Sequence, residues 1–196
     1  MAWTMARRRS SRQLLEPFGI MTLRQFYDWQ TMGGAKDVSR LVAALEEREI
    51  SWCMIGGLAV NHWAEEPMAT ADVDLVIVSD KVEEAAETLK NLGFLEKRFQ
   101  WSINFKGESK VSIQISTEEM YLSFPSRAVP ANVHGILMHV ASLEDTLAGK
   151  LAAYLEPQRR RTKKLKDILD IGRLIDAHPE LTALLPEEVL FKLNNP

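Results

Sequence analysis

The residue pattern points to a mixed α/β (α+β) protein, in which a mixed β-sheet is flanked by helices and followed by a helical C-terminal part. Three observations carry that expectation. Residues 51–78 read as a short apolar segment, a glycine pair, a helix-length segment and a longer apolar segment; residues 110–116 alternate apolar and polar; and beyond residue 143 apolar residues recur only at helical spacing. At 196 residues, 46% of them hydrophobic and 26% charged, the chain has the length and composition of a protein with one well-buried core. The expected boundaries are a leader over residues 1–30, flexible or partly helical, an α/β core over 36–140 and a C-terminal helical subdomain over 141–196.

Taken in order, "KDVSRLVAALEEREI" places Val38, Leu41, Val42 and Leu45 at helical spacing, so a helix is expected to end near Arg48. "SWCMI" is a short strand stopped by Gly56-Gly57, "LAVNHWAEE" a helix of two to three turns, and "ATADVDLVIV" a buried strand entered from Pro67. "VEEAAETLKNL" is an amphipathic helix closed by Gly93. "RFQWSINF" and "KVSIQIS" form a hairpin across "KGES", with Val111, Ile113 and Ile115 on one face of the second strand and Ser112, Gln114 and Ser116 on the other. A Pro-containing connection leads to a strand at "ILMHVA". Ser142, three residues before Asp145, then caps the helix "LEDTLAGKLAAYL". A further helix runs from about Arg160 to Ala177, His178-Pro179 breaks it, and "PEEVLFKL" supplies the last.

The net charge of -3 excludes a whole-protein attraction to polyanions, yet two basic clusters stand out, Arg7-Arg8-Arg9 and Arg159 through Lys164. Cys53 is the single cysteine, which excludes an internal disulfide and a cysteine-based zinc site and suits a reducing cytoplasm. No apolar run approaches the roughly 18 residues a membrane span needs, so no membrane partner is expected. The first 20 residues, rich in Arg and Ser but lacking a secretory core, read as a flexible leader or as sequence ahead of a later start at Met5 or Met21.

The chemistry concentrates between Met54 and Val78. Side chains at i and i+2 of a strand share a face, so Asp72 and Asp74 project together while Val73 and Leu75 point into the core. Two carboxylates on one rigid edge suit Mg²⁺, a hard ion that takes one or two protein carboxylates and completes its shell with water and substrate phosphates. Gly56 and Gly57, at the mouth of a helix, let backbone N–H groups approach an anion without a Cβ in the way. Each feature alone is more often structural; their order and spacing make the combination informative.

That combination, "IGGLAVNHWAEEPMATADVDLVI", resembles the minimal nucleotidyltransferases of the polymerase-beta-like superfamily, and more narrowly the AbiEii/MenT-type toxin-related group. The resemblance extends through "VASLEDTLAGKLAAYLEPQRRRTKKLKDILDIGRLI" and covers roughly residues 36–185. It implies that Asp72 and Asp74 hold Mg²⁺ and are catalytic, that Gly56, Gly57 and Thr70 lie against a nucleoside triphosphate, and that Lys150 and Asp167 belong to the catalytic set. Helical spacing independently puts Lys150 and Asp167 beside the apolar stripes of their helices. Two roles are open for them: a structural ion pair, or a phosphate contact by Lys150 that Asp167 orients.

The chain departs from the family pattern at two places. Met68 stands where an arginine is frequent, and Ser112 stands where a third carboxylate is expected, with Glu108, Glu118 and Glu119 as the acids nearest the strand ends. The expected activity is Mg²⁺-dependent transfer of a nucleoside monophosphate from a triphosphate to a hydroxyl of tRNA, protein or a small molecule, in a toxin–antitoxin setting with an antitoxin partner. The alternative is a catalytically degenerate member of the same fold that binds nucleotide or a protein. His62, Trp52, Trp63 and Trp101 read first as packing residues, and Arg159–Lys164 as a solvated helix start or as a site for RNA backbone or triphosphate.

Overall fold

The computed structural model describes residues 34–64, 68, 70, 72–109, 111–133 and 136–195. Helix α1 (Ala35–Glu47) buries Val38, Leu41, Val42 and Leu45, and ends where Glu49 takes the left-handed conformation (φ 53°) and the Ile50 N–H donates to the Leu45 carbonyl. Strand β1 (Trp52–Ile55), helix α2 (Gly56–Trp63) and strand β2 (Asp72–Ile77) follow. Helix α3 (Val82–Asn91) stops at Gly93, whose φ of 89° suits glycine. Strands β3 (Leu95–Arg98), β4 (Ser102–Lys106), β5 (Ser112–Ser116), β6 (Val129–Val133) and β7 (Ile136–Val140) complete the sheet. Helices α4 (Leu143–Leu155), α5 (Arg161–Ala177) and α6 (Glu187–Asn194) complete the described chain.

The seven strands lie in the order β3-β4-β5-β2-β1-β7-β6. Pairs β2/β5 and β1/β7 are parallel and the others antiparallel, so the sheet is mixed, as expected. Its alternation decides where everything else goes. Val73, Leu75 and Ile77 of β2 and Ile113 and Ile115 of β5 share one core with Leu41 and Leu45 of α1 and Ala85, Ala86 and Leu89 of α3. The opposite face carries Asp72, Asp74 and Val76 from β2 and Ser112, Gln114 and Ser116 from β5. Val76 and Cys53 on this face pack with Tyr121, Phe124 and Ala141, and burial pushes the Cys53 thiol up to about 12, so it is a packing residue. A separate cluster joins Val60 of α2 to Leu147 of α4, Ile171 and Leu174 of α5 and Val189 of α6.

Several expectations need correction. The single strand expected over 98–105 is two: Arg98 ends β3, the Phe99 N–H donates to the Ser102 carbonyl across a tight turn, and β4 begins at Ser102. Phe99 and Trp101, which mimicked a strand in the sequence, are 52% and 57% exposed on that turn. The Pro-containing connection expected before "ILMHVA" holds a further strand, β6, in which Pro130 is tolerated because at the sheet edge a proline costs no ladder bond. Both unforeseen strands are edges, where no buried face imposes an apolar alternation. Gly56 and Gly57 form the first turn of α2 rather than preceding it, and that helix ends at Trp63. The leader expected over residues 1–30, and Glu65 and Glu66, lie outside the described residues.

The cap expected at Ser142 is present, its hydroxyl accepting from the Asp145 N–H at 3.1 Å. Ser142→Ala is expected to cost about 1 kcal/mol in urea unfolding, the loss typical of an N-cap; an unchanged midpoint would show that the cap is dispensable.

Candidate functional site

Beneath the polar face of β2 and β5 lies a cavity of about 330 Å³, closed on its other sides by the start of α2, by α4 and by the N-terminal turns of α5. Asp72 and Asp74 stand on its wall, and neither carboxylate has a hydrogen-bond or ion-pair partner among the described residues. Burial pushes the Asp74 carboxyl upward and the neighbouring Asp72 charge pushes it further, while Lys150, Lys166 and Lys163 pull it back.

Register explains the glycines. Ile55 pairs with Asp74 across β1/β2, so the next residue, Gly56, meets the Asp74 side chain. A Cβ on Gly56 would stand 2.2 Å from Oδ2 of Asp74, and its φ of 69° is itself a glycine conformation. Gly57 is less confined: a Cβ there would lie 3.5 Å from the Thr70 hydroxyl and 3.6 Å from the Lys166 ammonium. The first turn of α2, Thr70 and Lys166 therefore converge beside the aspartates, at the end of a helix whose dipole favours an anion.

Lys150 and Asp167 also line the cavity, but they are held in a buried chain of charges. Lys150 Nζ lies 2.7 Å from Asp170 and 3.6 Å from Asp167; Arg159 donates to Asp167 at 2.9 Å; Arg173 pairs with Asp170 at 3.0 Å and donates to the Asn61 side chain at 2.8 Å. Lys150 therefore makes the structural pair and faces the cavity at once. Asn61 grips the backbone of Met68 from both sides, accepting from its N–H and donating to its carbonyl. Asp170, Arg173, Asn61 and Lys166 were not foreseen. The available signal for Asp170 was the one that exposed Asp167, a charge beside the buried Ile171 and Leu174 stripe; Lys166 falls two residues beyond the basic run.

Lys163 and Lys166 reach the cavity from α5 without a carboxylate partner among the described residues. They bring the positive charge that Met68, on the near side, does not. Across β2/β5 Ser112 faces Asp72 and Gln114 faces Asp74, so no acid stands opposite the pair. Of the three acids near the strand ends, Glu118 and Glu119 are both exposed, and of the two only Glu118 lines the cavity; Glu108 pairs with Lys36 on the surface at 2.8 Å. His62 and the tryptophans are not in the cavity wall; Trp63 packs and donates to the Ala141 carbonyl at 3.0 Å.

Among the described residues no group of three or more His, Cys, Asp and Glu is placed to hold a metal ion. The donors nevertheless fit a divalent cation of the Mg²⁺ type. Two carboxylates without a partner among the described residues, one of them pushed toward its protonated form by burial and then by its neighbour's charge, are a hard oxygen set that leaves the remaining positions to water and phosphate.

The mixed sheet flanked by helices is shared with solved nucleotidyltransferase structures. The antibiotic-resistance factor ANT(2'')-Ia is 15% identical with a TM-score of 0.53, the match covering 82% of this chain and 89% of that one. A nucleotidyltransferase-like antigenic protein from Paracoccidioides brasiliensis is 24% identical with a TM-score of 0.52 over 82% and 85% of the two chains. The lincosamide antibiotic adenylyltransferase LnuA is 12% identical with a TM-score of 0.50 over 71% and 96%. At these identities the likeness is one of fold. The family follows from the sequence: residues 40–193 match the nucleotidyl transferase AbiEii toxin family of type IV toxin–antitoxin systems, and the chain belongs to that family. Comparison with curated proteins gives no match.

Two substitutions test the geometry. Gly56→Ala should cost more stability than Gly93→Ala, because both impose a left-handed backbone on alanine but only Gly56 meets a side chain; equal losses in urea unfolding would contradict the Asp74 contact. Asp170→Asn removes the buried charge that Lys150 and Arg173 share and is expected to cost about 3–5 kcal/mol in urea unfolding, far more than Lys36→Ala at the exposed pair with Glu108.

Proposed function

We propose that the protein transfers a nucleoside monophosphate from a nucleoside triphosphate to a hydroxyl of an RNA acceptor, with Asp72 and Asp74 holding Mg²⁺. The observation that carries this reading is the opposition, across one cavity floored by the first turn of α2, of two carboxylates and two lysines, Lys163 and Lys166, that have no side-chain partner among the described residues. An isolated set of either sign would be costly to hold at a cavity wall; a metal-bound triphosphate satisfies both.

The residues divide the work. The N–H groups of Gly56 and Gly57 and the Thr70 hydroxyl meet the phosphates at the helix start, where no side chain keeps them at a distance. Lys163 and Lys166 neutralise the triphosphate from the α5 side, and Lys150, fixed between Asp167 and Asp170, presents its charge without searching rotamers. Asp167 also fixes Arg159, which reaches the same cavity. When bound, Mg²⁺ supplies charge neutralisation at the reacting phosphate and orients the leaving pyrophosphate.

RNA is favoured as the acceptor by the cavity's rim. Arg159, Arg161 and Lys164, with Tyr154 under the Lys164 ammonium, continue the cationic surface outward from Arg159 along the start of α5. A cationic band with an aromatic beside it suits a sugar–phosphate strand better than a cationic antibiotic. The antibiotic adenylyltransferases share the fold at an identity that does not extend to the acceptor. Membership of a type IV toxin family supports a cytoplasmic setting and an antitoxin partner. Ser112 and Gln114 opposite the aspartates favour a second reading, a member that binds nucleotide without turning it over.

Incubation with labelled NTPs, Mg²⁺ and total cellular RNA or protein separates the readings. Label is expected on RNA, abolished by Asp72→Ala and by Asp74→Ala, with Lys163→Ala and Lys166→Ala each weakening triphosphate binding about 10- to 100-fold, the worth of a charged hydrogen bond. Calorimetric NTP binding with no transfer supports the non-catalytic reading; label on protein, or on an added aminoglycoside, moves the acceptor to that class.

A further inference from the structure

The transfer step requires a proton acceptor that the reading above leaves unassigned. As the acceptor oxygen attacks the α-phosphorus, a new O–P bond forms, the bond from the α-phosphorus to its bridging oxygen breaks, and pyrophosphate leaves with that electron pair. The hydroxyl proton must go to a base within the cavity.

Few groups there are free to take it. Asp72 and Asp74 are the cation's ligands. Asp145 is locked by two bonds from Arg127, at 3.0 and 2.7 Å. Asp167 is held by Arg159 and Lys150. The Tyr121 hydroxyl is pushed up to about 12, chiefly by burial, and keeps its own proton. The lysines and Arg159 are cations that serve the phosphates. Glu118 remains: it lines the same cavity, follows directly from β5, and has no hydrogen-bond or ion-pair partner on its carboxylate among the described residues.

We infer that Glu118 is the general base that accepts the acceptor hydroxyl's proton, an assignment that rests on the nucleotidyl-transfer reading. The backbone places it rather than leaving it to a loop. The Glu118 N–H donates to the Ser116 hydroxyl, and the Glu118 carbonyl accepts from the Tyr121 N–H, so the residue caps a one-turn 3-10 helix whose Tyr121 lines the same cavity. Its surroundings tune it. Glu118 is solvent-exposed as a residue, yet desolvation of its carboxyl and the Glu156 charge at the end of α4 raise it above the usual range, Arg159 opposes them, and Tyr121 from its own turn stays neutral. A carboxylate raised in this way is a stronger base than one at the ordinary glutamate range, and it remains ionised at pH values above its shifted range.

The consequence is a rate that falls as pH drops through the raised Glu118 range, because protonation removes the base. The test is turnover across the acid range for the wild type, Glu118→Gln and Glu118→Asp, with calorimetric NTP affinity measured beside it. Glu118→Gln should lose roughly 10²- to 10⁴-fold in turnover, the contribution of a general base, keep its NTP affinity and lose the part of the acid limb that Glu118 adds to that of the raised Asp74 carboxyl, which the variant retains. Glu118→Asp, a shorter acid, should fall between and keep that limb. Glu119→Gln, altering an exposed neighbour, should match the wild type. A wild type that transfers nucleotide while Glu118→Gln keeps its rate and pH profile overturns the assignment alone; a wild type that transfers nothing at any pH overturns the parent reading and the assignment with it.

Discussion

The Asp74 carboxylate rests against the backbone of Gly56, in a space that a single added carbon would fill. The antiparallel register of β1 and β2 sets that contact: with Ile55 opposite Asp74, the chain must turn into α2 beside the aspartate. One junction thus carries both a helix start, where the dipole favours an anion, and the Asp74 carboxylate. Bringing them together without a side chain between requires glycine at 56, and the positive φ requires it a second time. Asp72 follows from the pleat, two residues away on the same face, while Val73 and Leu75 anchor the strand in the core behind.

The opposite wall is built by a different device. Helices α4 and α5 meet through Leu147, Ile171 and Leu174, but the residues facing the cavity are charged and buried. Alternating signs, from Arg159 through Asp167, Lys150 and Asp170 to Arg173, give each buried charge an opposite neighbour. Such a chain adds little net stability, because desolvation cancels much of the attraction, yet it is costly to break and therefore fixes geometry. It also reaches the first wall: Arg173 holds Asn61 of α2, and Asn61 holds Met68 in the segment leading to the aspartates. The two walls are positioned by one continuous set of polar contacts, and Lys163 and Lys166 are presented from its α5 end.

Periodicity made the sheet's central strands legible. The faces of β2 and β5, the glycine stop at Gly93 and the cap at Ser142 all follow from local chemistry, and the aspartate pair and its glycines are local too. Edge strands β3 and β6 were not legible, since exposure on one or both faces removes the alternation that marks a strand. The convergence of Lys166 on Thr70 and Gly57, and the pairing of Lys150 with Asp170 as well as Asp167, depend on how α5 lies across α2 and α4, which no window of sequence contains. The same holds for Asp37, buried on α1 because it receives the Ser109 N–H and hydroxyl from the β4–β5 loop and sits where a side chain at Gly107 would otherwise be. The departure at Ser112 was legible as a missing acid; that Glu118 stands in the cavity and Glu108 does not was visible only once β5 and the turn after it were placed.

The central claim is that one divalent cation and one triphosphate share the space between the aspartate pair and the α5 lysines. Anomalous diffraction from crystals grown with Mn²⁺ and a non-hydrolysable nucleoside triphosphate addresses it most directly. The account predicts manganese density bridging Asp72, Asp74 and phosphate oxygens, with the phosphates extending toward Gly57, Lys163 and Lys166; manganese elsewhere, or a triphosphate bound away from α5, would contradict it.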